Sequence, residues 1–251
     1  MQIGLIGSGN IATAFALGWG EPVLCTDIDP ARANALASAT GGEVVGENAE
    51  LAARSDLVIL CHKPAQLGEV AAEAAGGADV VLSPLAGVPL AELRAAYPGS
   101  LVFRVMPNTA MTLRHGVTVL AEDDAGDPAA FETMRSLLEE LGPVFVLPES
   151  EFAAATAVMS SGVAFLALVA EAKIEAAVAS GMDPVLAASL VGATFGSAMA
   201  LLSEEGADAA AVREAVTSPG GVTEKGLAEL ERAKVRDAFA EAVRAVIEGG
   251  A

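Results

Sequence analysis

Aromatic side chains are scarce: Phe, Tyr and Trp together make up 4% of the 251 residues. More than half of the chain is nonetheless apolar, rich in Ala and Gly, so its core is built from small side chains and its helices can pack closely. Basic residues are also few, 14 Lys and Arg against 33 Asp and Glu, for a formal net charge of −19. Nucleic acid and anionic membrane both need a basic face, so neither is expected as a partner. An anionic ligand must instead be held by local devices such as helix N-termini and single cations. The two cysteines, Cys25 and Cys61, each close an apolar run and are expected as reduced core thiols; no metal site is expected. The chain opens on no signal-peptide pattern, and a cytoplasmic location is expected. Two stretches lack charge altogether, 153–170 and 184–203, near the length of a membrane span. Their Ala, Gly and Ser content points to helices buried in protein, against a second subunit.

What is present organises itself around residues 2–12. The apolar run Ile3–Ile6 leads straight into Gly7-Ser8-Gly9-Asn10-Ile11-Ala12 and then into a helical stretch over 11–19. In a strand–turn–helix of this kind Gly7 permits the sharp turn, Gly9 lets the backbone approach a pyrophosphate, and Ala12 lets the helix pack on the strand. The helix N-terminus offers N–H groups and a partial positive charge to the phosphates. Asp27 follows Gly7 by 20 residues, at the end of a second strand over 22–27. A carboxylate there bonds the hydroxyls of an adenosine ribose and repels a 2′-phosphate. Arg32 is the nearby cation that opposes it.

Further strands are expected at 43–45, 56–61, 79–82, 101–104, 116–121 and 143–147, with helices between them, including one over 128–141 capped by Asp127. Asp29-Pro30 starts another helix. This alternation specifies an α/β fold, a Rossmann-type, doubly wound and mostly parallel sheet. His62 and Lys63 follow the strand at 56–61, on the carboxyl edge where ligands bind, as a weak proton-donor candidate and a phosphate- or ribose-binding candidate respectively. Strand signals stop at residue 148, and 151–181, 184–203, 208–217 and 234–248 all read helical. Two domains are expected, 1–148 binding the dinucleotide and 149–251 serving dimerisation and substrate binding. The helical half breaks once, at Val216-Thr217-Ser218-Pro219-Gly220-Gly221-Val222-Thr223. Pro219 and two glycines end one helix and Thr223 begins the next. The break gathers backbone N–H groups, with the Ser218 and Thr223 hydroxyls beside them, into a cluster suited to a small carboxylate.

These segments together resemble the pyrroline-5-carboxylate reductase family, which makes L-proline. The resemblance spans nearly the whole chain. It rests on the turn at 7–12, on Lys63-Pro64-x-Gln66, on Arg104-Val105-Met106-Pro107-Asn108-Thr109 and above all on the segment 216–223. It implies a Rossmann domain, a helical domain that interlocks two subunits, a cleft between domains, and dimers that assemble into rings of five. It further implies that residues 7–12, Asn48, Lys63 and Pro64 contact NAD(P)H, with Ala86, Gly87, Met106, Pro107 and Asn108 near the nicotinamide. By the same resemblance the loop 218–223 would hold the substrate carboxylate through Ser218, Gly220, Gly221 and Val222, and Thr223 would bond the ring nitrogen as the catalytic residue. The family's Ser-Gly-Ser-Gly-Pro-Ala-Tyr stretch is Met159-Ser160-Ser161-Gly162-Val163-Ala164-Phe165 here. Ser161 is retained as a substrate residue, whereas Pro and Tyr are replaced by Val163 and Phe165. Thr26-Asp27-Ile28-Asp29 leans toward NADH where many members carry a basic or hydroxyl group favouring NADPH. The rival readings are a related imine or 2-hydroxyacid reductase acting on another small carboxylate, and a non-catalytic nucleotide-binding homologue.

Overall fold

The structure, a computed structural model, describes residues 1–123 and 126–249. Its first half alternates strand and helix. Strands β1 (Ile3–Ile6), β2 (Leu24–Thr26), β3 (Glu43–Val44), β4 (Leu57–Leu60) and β5 (Val80–Ser83) are joined through helices α1 (Asn10–Trp19), α2 (Pro30–Thr40), α3 (Asn48–Ala53) and α4 (Leu67–Ala74). Helix α5 (Leu90–Ala96), strands β6 (Leu101–Pro107) and β7 (Thr118–Ala121), helix α6 (Pro128–Glu139) and strand β8 (Val144–Leu147) complete the sheet. Among the described residues the strands form one eight-stranded sheet in the order β3-β2-β1-β4-β5-β6-β7-β8, parallel except where β6 meets β7.

Two apolar layers explain the double winding. Ile3, Leu5, Leu57 and Ile59 face α1, α2 and α6, whereas Ile6, Val58 and Leu60 face α3, α4 and α5. Strands buried on both faces read as unbroken apolar runs, and β1 and β4 are buried throughout. Each such Leu or Ile contributes about 1.5–3 kcal/mol of burial free energy. One of the few aromatic pairs sits in the first layer, Phe15 stacked on Trp19 at 5.2 Å.

Two expectations need correction. The strand expected over 101–104 runs on to Pro107, because 105–107 pair antiparallel with β7. Met106 and Pro107 therefore belong to the sheet and are buried rather than looped out. The single helix expected over 151–181 is broken into α7 (Phe152–Ala155), a π-helical turn at Thr156–Ser160, and α8 (Ser161–Ala179). The cause is a partner distant in the chain: Asn108 Nδ2 donates to the Met159 carbonyl at 2.9 Å, and a side chain that competes for a carbonyl in this way interrupts the helical ladder.

The described residues divide into two compact units, 1–160 together with 246–249, and 161–245. Residues 149–160 pack with the first. Phe152 is buried with Met106, Val119 and Ala121, and the Arg104 guanidinium lies 4.6 Å over its ring while pairing with Glu149. The second unit contains α8, α9 (Pro184–Leu202), α10 (Ala209–Ala215), α11 (Val222–Arg232) and most of α12 (Val235–Gly249). Asp183 and Asp208 cap α9 and α10 through side-chain oxygens. By length and composition, Glu149–Ala179 and Pro184–Leu202 are apolar enough to cross a membrane. Leu166, Leu168, Val185, Leu186 and Leu190 are among the large apolar side chains exposed on α8 and α9. Lys173 lies 5.3 Å over the Phe195 ring, a cation–π contact.

Candidate functional site

The carboxyl ends of β1, β2 and β4 open onto a groove made of two adjoining cavities of about 700 and 550 Å3. Both are lined by Gly9, Arg32, Cys61, His62 and Lys63, so they form the two lobes of one elongated site. Its position is where open α/β sheets take ligands, beside the reversal of strand order between β1 and β4.

The glycine turn divides its work as the motif requires. Gly7 adopts φ +97°, and a Cβ there would lie 2.5 Å from the Cys61 carbonyl oxygen. Gly9 is the N-cap of α1, no side chain caps the helix, and a Cβ on Gly9 would meet nothing within 4 Å. The helix start is thus an uncapped cradle at the waist of the groove, the form that accepts a pyrophosphate. Ser8 is buried; its N–H donates to Asp27 Oδ2 at 2.7 Å and its hydroxyl to the Thr26 carbonyl at 3.1 Å. Asp27 Oδ1 accepts from the Asp29 N–H at 2.8 Å, so backbone groups fix the carboxylate at the rim of the larger lobe. Arg32 stands opposite with Nε 3.6 Å from Asp29. Ile28, between the two aspartates, is 91% exposed and lines the same lobe.

Asn48 opens α3 and faces this lobe. It receives the Thr26 hydroxyl on Oδ1 at 2.7 Å, and its Nδ2 donates to Glu73 Oε2 at 2.8 Å. Lys63 is exposed at the junction of the lobes, and its N–H donates to Gln66 Oε1, which fixes the turn entered at Pro64. His62 has Nδ1 2.9 Å from the Lys63 carbonyl, and burial lowers its pKa. A ring biased to its neutral form is a poor proton donor near neutral pH. Burial likewise raises the Cys61 thiol far above its ordinary value, so it stays protonated near neutral pH. Ala86 lines the smaller lobe beside Asn10 and Ile11, with Gly87 exposed after it.

Asn108 is 5% exposed and its carboxamide is committed to the fold. Oδ1 accepts from the Ala110 and Val117 N–H groups while Nδ2 holds Met159. Met106 and Pro107 precede it in β6. In the second unit, Ser161 begins α8, and Ser218, Gly220, Gly221, Val222 and Thr223 form the turn into α11. The side chains of Val222 and Thr223 are exposed there. The amide cluster expected in this turn is partly taken: the Gly221 N–H donates to the Ser218 carbonyl at 2.9 Å, and the Gly220 N–H to Glu224 Oε2 at 2.6 Å. Glu224 thus sets a carboxylate of the chain itself against this turn. Neither it nor Glu73 carries a signal in its local sequence, since each is recognised only by the bond it makes.

Comparison with known proteins extends this geometry. Residues 149–250 match the family model for pyrroline-5-carboxylate reductase dimerisation, and residues 2–87 match the model described as NADP oxidoreductase, coenzyme F420-dependent. A pyrroline-5-carboxylate reductase of Synechocystis is 33% identical, the alignment covering 98% of this chain and 95% of the relative. The crystal structure of 1-pyrroline-5-carboxylate reductase from Streptococcus pyogenes superposes with a TM-score of 0.90 at 26% identity, covering 100% of this chain and 98% of that one. The NADP-bound pyrroline carboxylate reductase of Plasmodium falciparum shares the fold, with a TM-score of 0.91 at 22% identity over 100% of this chain and 97% of that one.

Proposed function

The chain belongs to the pyrroline-5-carboxylate reductase family, and we propose that it performs the reaction named there, reduction of the C=N bond of a five-membered cyclic imine acid to L-proline. The observation that carries this reading is the uncapped glycine turn at the waist of a two-lobed groove, in a chain similar to those reductases along its whole length. Residues 7–12, Asp27, Asn48, Lys63, Pro64 and Ala86 hold the dinucleotide, and Gly87 and Asn108 support the loops beside it. Reduced nicotinamide bound in the groove supplies the hydride. The protonated imine is already electrophilic, so the chain's own task is mainly proximity and orientation rather than strong acid catalysis. In the turn into α11, the Val222 backbone and the Ser218 hydroxyl take the substrate carboxylate, and the Gly220 and Gly221 N–H groups join them as the substrate displaces the Glu224 carboxylate and the Ser218 carbonyl that hold them. Thr223 Oγ1 bonds the ring nitrogen, with Met106, Pro107 and Ser161 completing the substrate contacts. Val163 and Phe165 replace the family's Pro and Tyr, and this favours, as a second reading, a related cyclic imine acid as substrate.

The preferred cofactor in this reading is NADH, supported by Asp27 at the rim and by the Asp29 partner that engages Arg32. The partner is a second copy of the chain, covering the apolar faces of α8 and α9; further assembly of dimers into rings is compatible with it. Free Cys25 and Cys61 suit a reducing cytoplasm.

The test is oxidation of reduced nicotinamide by pyrroline-5-carboxylate, with stereospecific deuterium transfer from labelled cofactor into C5 of proline. No transfer under conditions where the dinucleotide binds would overturn the reading. Thr223→Ala is expected to lower kcat/KM for the imine by about 100-fold while leaving cofactor affinity within about twofold. Leu190→Glu, on the exposed face of α9, is expected to shift the sedimenting species from dimer to monomer. A dimer unmoved by that charge would place the interface elsewhere.

A further inference from the structure

We infer that Glu73 is a positioning residue of the dinucleotide groove, acting through Asn48. The three groups involved come from three elements: Thr26 from the end of β2, Asn48 from the start of α3 and Glu73 from α4. All three line the larger lobe. A carboxylate only accepts hydrogen bonds, so Glu73 Oε2 at 2.8 Å fixes which end of the Asn48 carboxamide is nitrogen. The Oδ1 end is thereby turned to the Thr26 hydroxyl at 2.7 Å. The Thr26 hydroxyl can donate or accept and so tolerates either end of the amide, but a flip would face the Asn48 oxygen to the Glu73 carboxylate and lose that bond, so Glu73 alone sets the orientation. Held in this way, Asn48 has a second N–H left for an acceptor on the ligand, such as a ribose or adenine lone pair.

Without Glu73 the carboxamide turns freely and offers oxygen or nitrogen to the lobe indifferently. Part of the cofactor's binding free energy is then spent on ordering it. In that reading the nicotinamide end would occupy the other lobe, which Glu73 does not line, and the chemistry there would be untouched. The effect is therefore confined to cofactor affinity. This inference rests on reading the groove as the dinucleotide site.

The experiment is a double-mutant cycle on Asn48→Ala and Glu73→Ala, with Glu73→Gln as the conservative variant, in the full-length enzyme. NADH affinity by fluorescence titration and steady-state KM and kcat are read for each. Glu73→Ala is expected to raise the NADH Kd and KM by about three- to tenfold with kcat within about twofold. Glu73→Gln, which keeps an oxygen acceptor of the same reach, restores most of that loss. In the Asn48→Ala background Glu73→Ala costs nothing further. Additive losses, or a Glu73→Ala enzyme that binds NADH as the parent does, would overturn the positioning role. Failure of the unsubstituted protein to bind either NADH or NADPH would instead overturn the reading of the groove itself.

Discussion

Gly9→Ala is expected to fold about as stably as the parent and yet to bind NADH about 30- to 100-fold more weakly, whereas Gly7→Ala loses the native fold's stability by about 3 kcal/mol or more. The two residues stand two apart in one turn, and the geometry separates them. Gly9 has φ −79° and ψ −168°, extended backbone open to any residue, and its absent side chain would point into empty space. Alanine there gains about 0.4–1 kcal/mol from unfolded-chain entropy, which offsets a loss of similar size from replacing glycine at an N-cap. The same methyl stands on the cradle at the start of α1, where a pyrophosphate must come within hydrogen-bond reach of the backbone. Gly7 is the opposite case. Its φ of +97° disfavours an L side chain, and the added Cβ would collide with the Cys61 carbonyl at the end of β4, the strand paired with β1. Thermal unfolding and NADH titration of both variants decide the matter. A Gly9→Ala protein that binds NADH like the parent would remove the turn from the cofactor site, and a stable Gly7→Ala protein would show that the turn can relax.

The features legible in the sequence were those whose cause is local. Apolar runs buried on both faces announced β1 and β4, and aspartates before a helix start announced the caps that Asp29 and Asp127 make through side-chain oxygens. The glycine turn was legible for the same reason, because each of its positions answers to a contact within one supersecondary unit. What escaped depends on partners distant in the chain. The extension of β6 through Pro107 needs β7, and the π-helical turn needs Asn108 drawing on Met159, 51 residues away. Residues 149–160 look like the start of the helical half but pack with the sheet, because Arg104 has its charge partner in Glu149 and its ring partner in Phe152. The candidate site divides along the same line. Gly7, Gly9 and Asp27 could be named from spacing, while the Glu73 bond to Asn48 and the Glu224 bond to Gly220 arise only once helices and turns are in place.

The unsubstituted enzyme is expected to use NADH with a kcat/KM about 10- to 100-fold above that for NADPH, and Asp27→Ser to erase most of the difference. A 2′-phosphate carries up to two negative charges to the rim where Asp27 sits. At 4 Å and an effective dielectric near 20, each pair of like charges is worth about 4 kcal/mol before salt screening. Only part of this is felt, because the rim is open to water and the phosphate can tilt away. The carboxylate cannot swing aside at no cost, since both oxygens accept backbone N–H groups, from Ser8 at 2.7 Å and from Asp29 at 2.8 Å. Arg32 is the cation available to the phosphate, and Asp29 shares it at 3.6 Å. Asp27→Ser removes the repulsion and offers a hydroxyl donor in its place, so the gain appears in the KM for NADPH and not in kcat. Adding Asp29→Ala frees Arg32 and should carry the preference past parity toward NADPH, at the cost of the cap on α2, about 1 kcal/mol. Steady-state kinetics with both cofactors, at low and high salt, separate the contributions: a preference built on charge shrinks as salt rises. An unsubstituted enzyme that favours NADPH would mean that Arg32 outweighs both aspartates, and the double variant would then leave the ratio nearly unchanged.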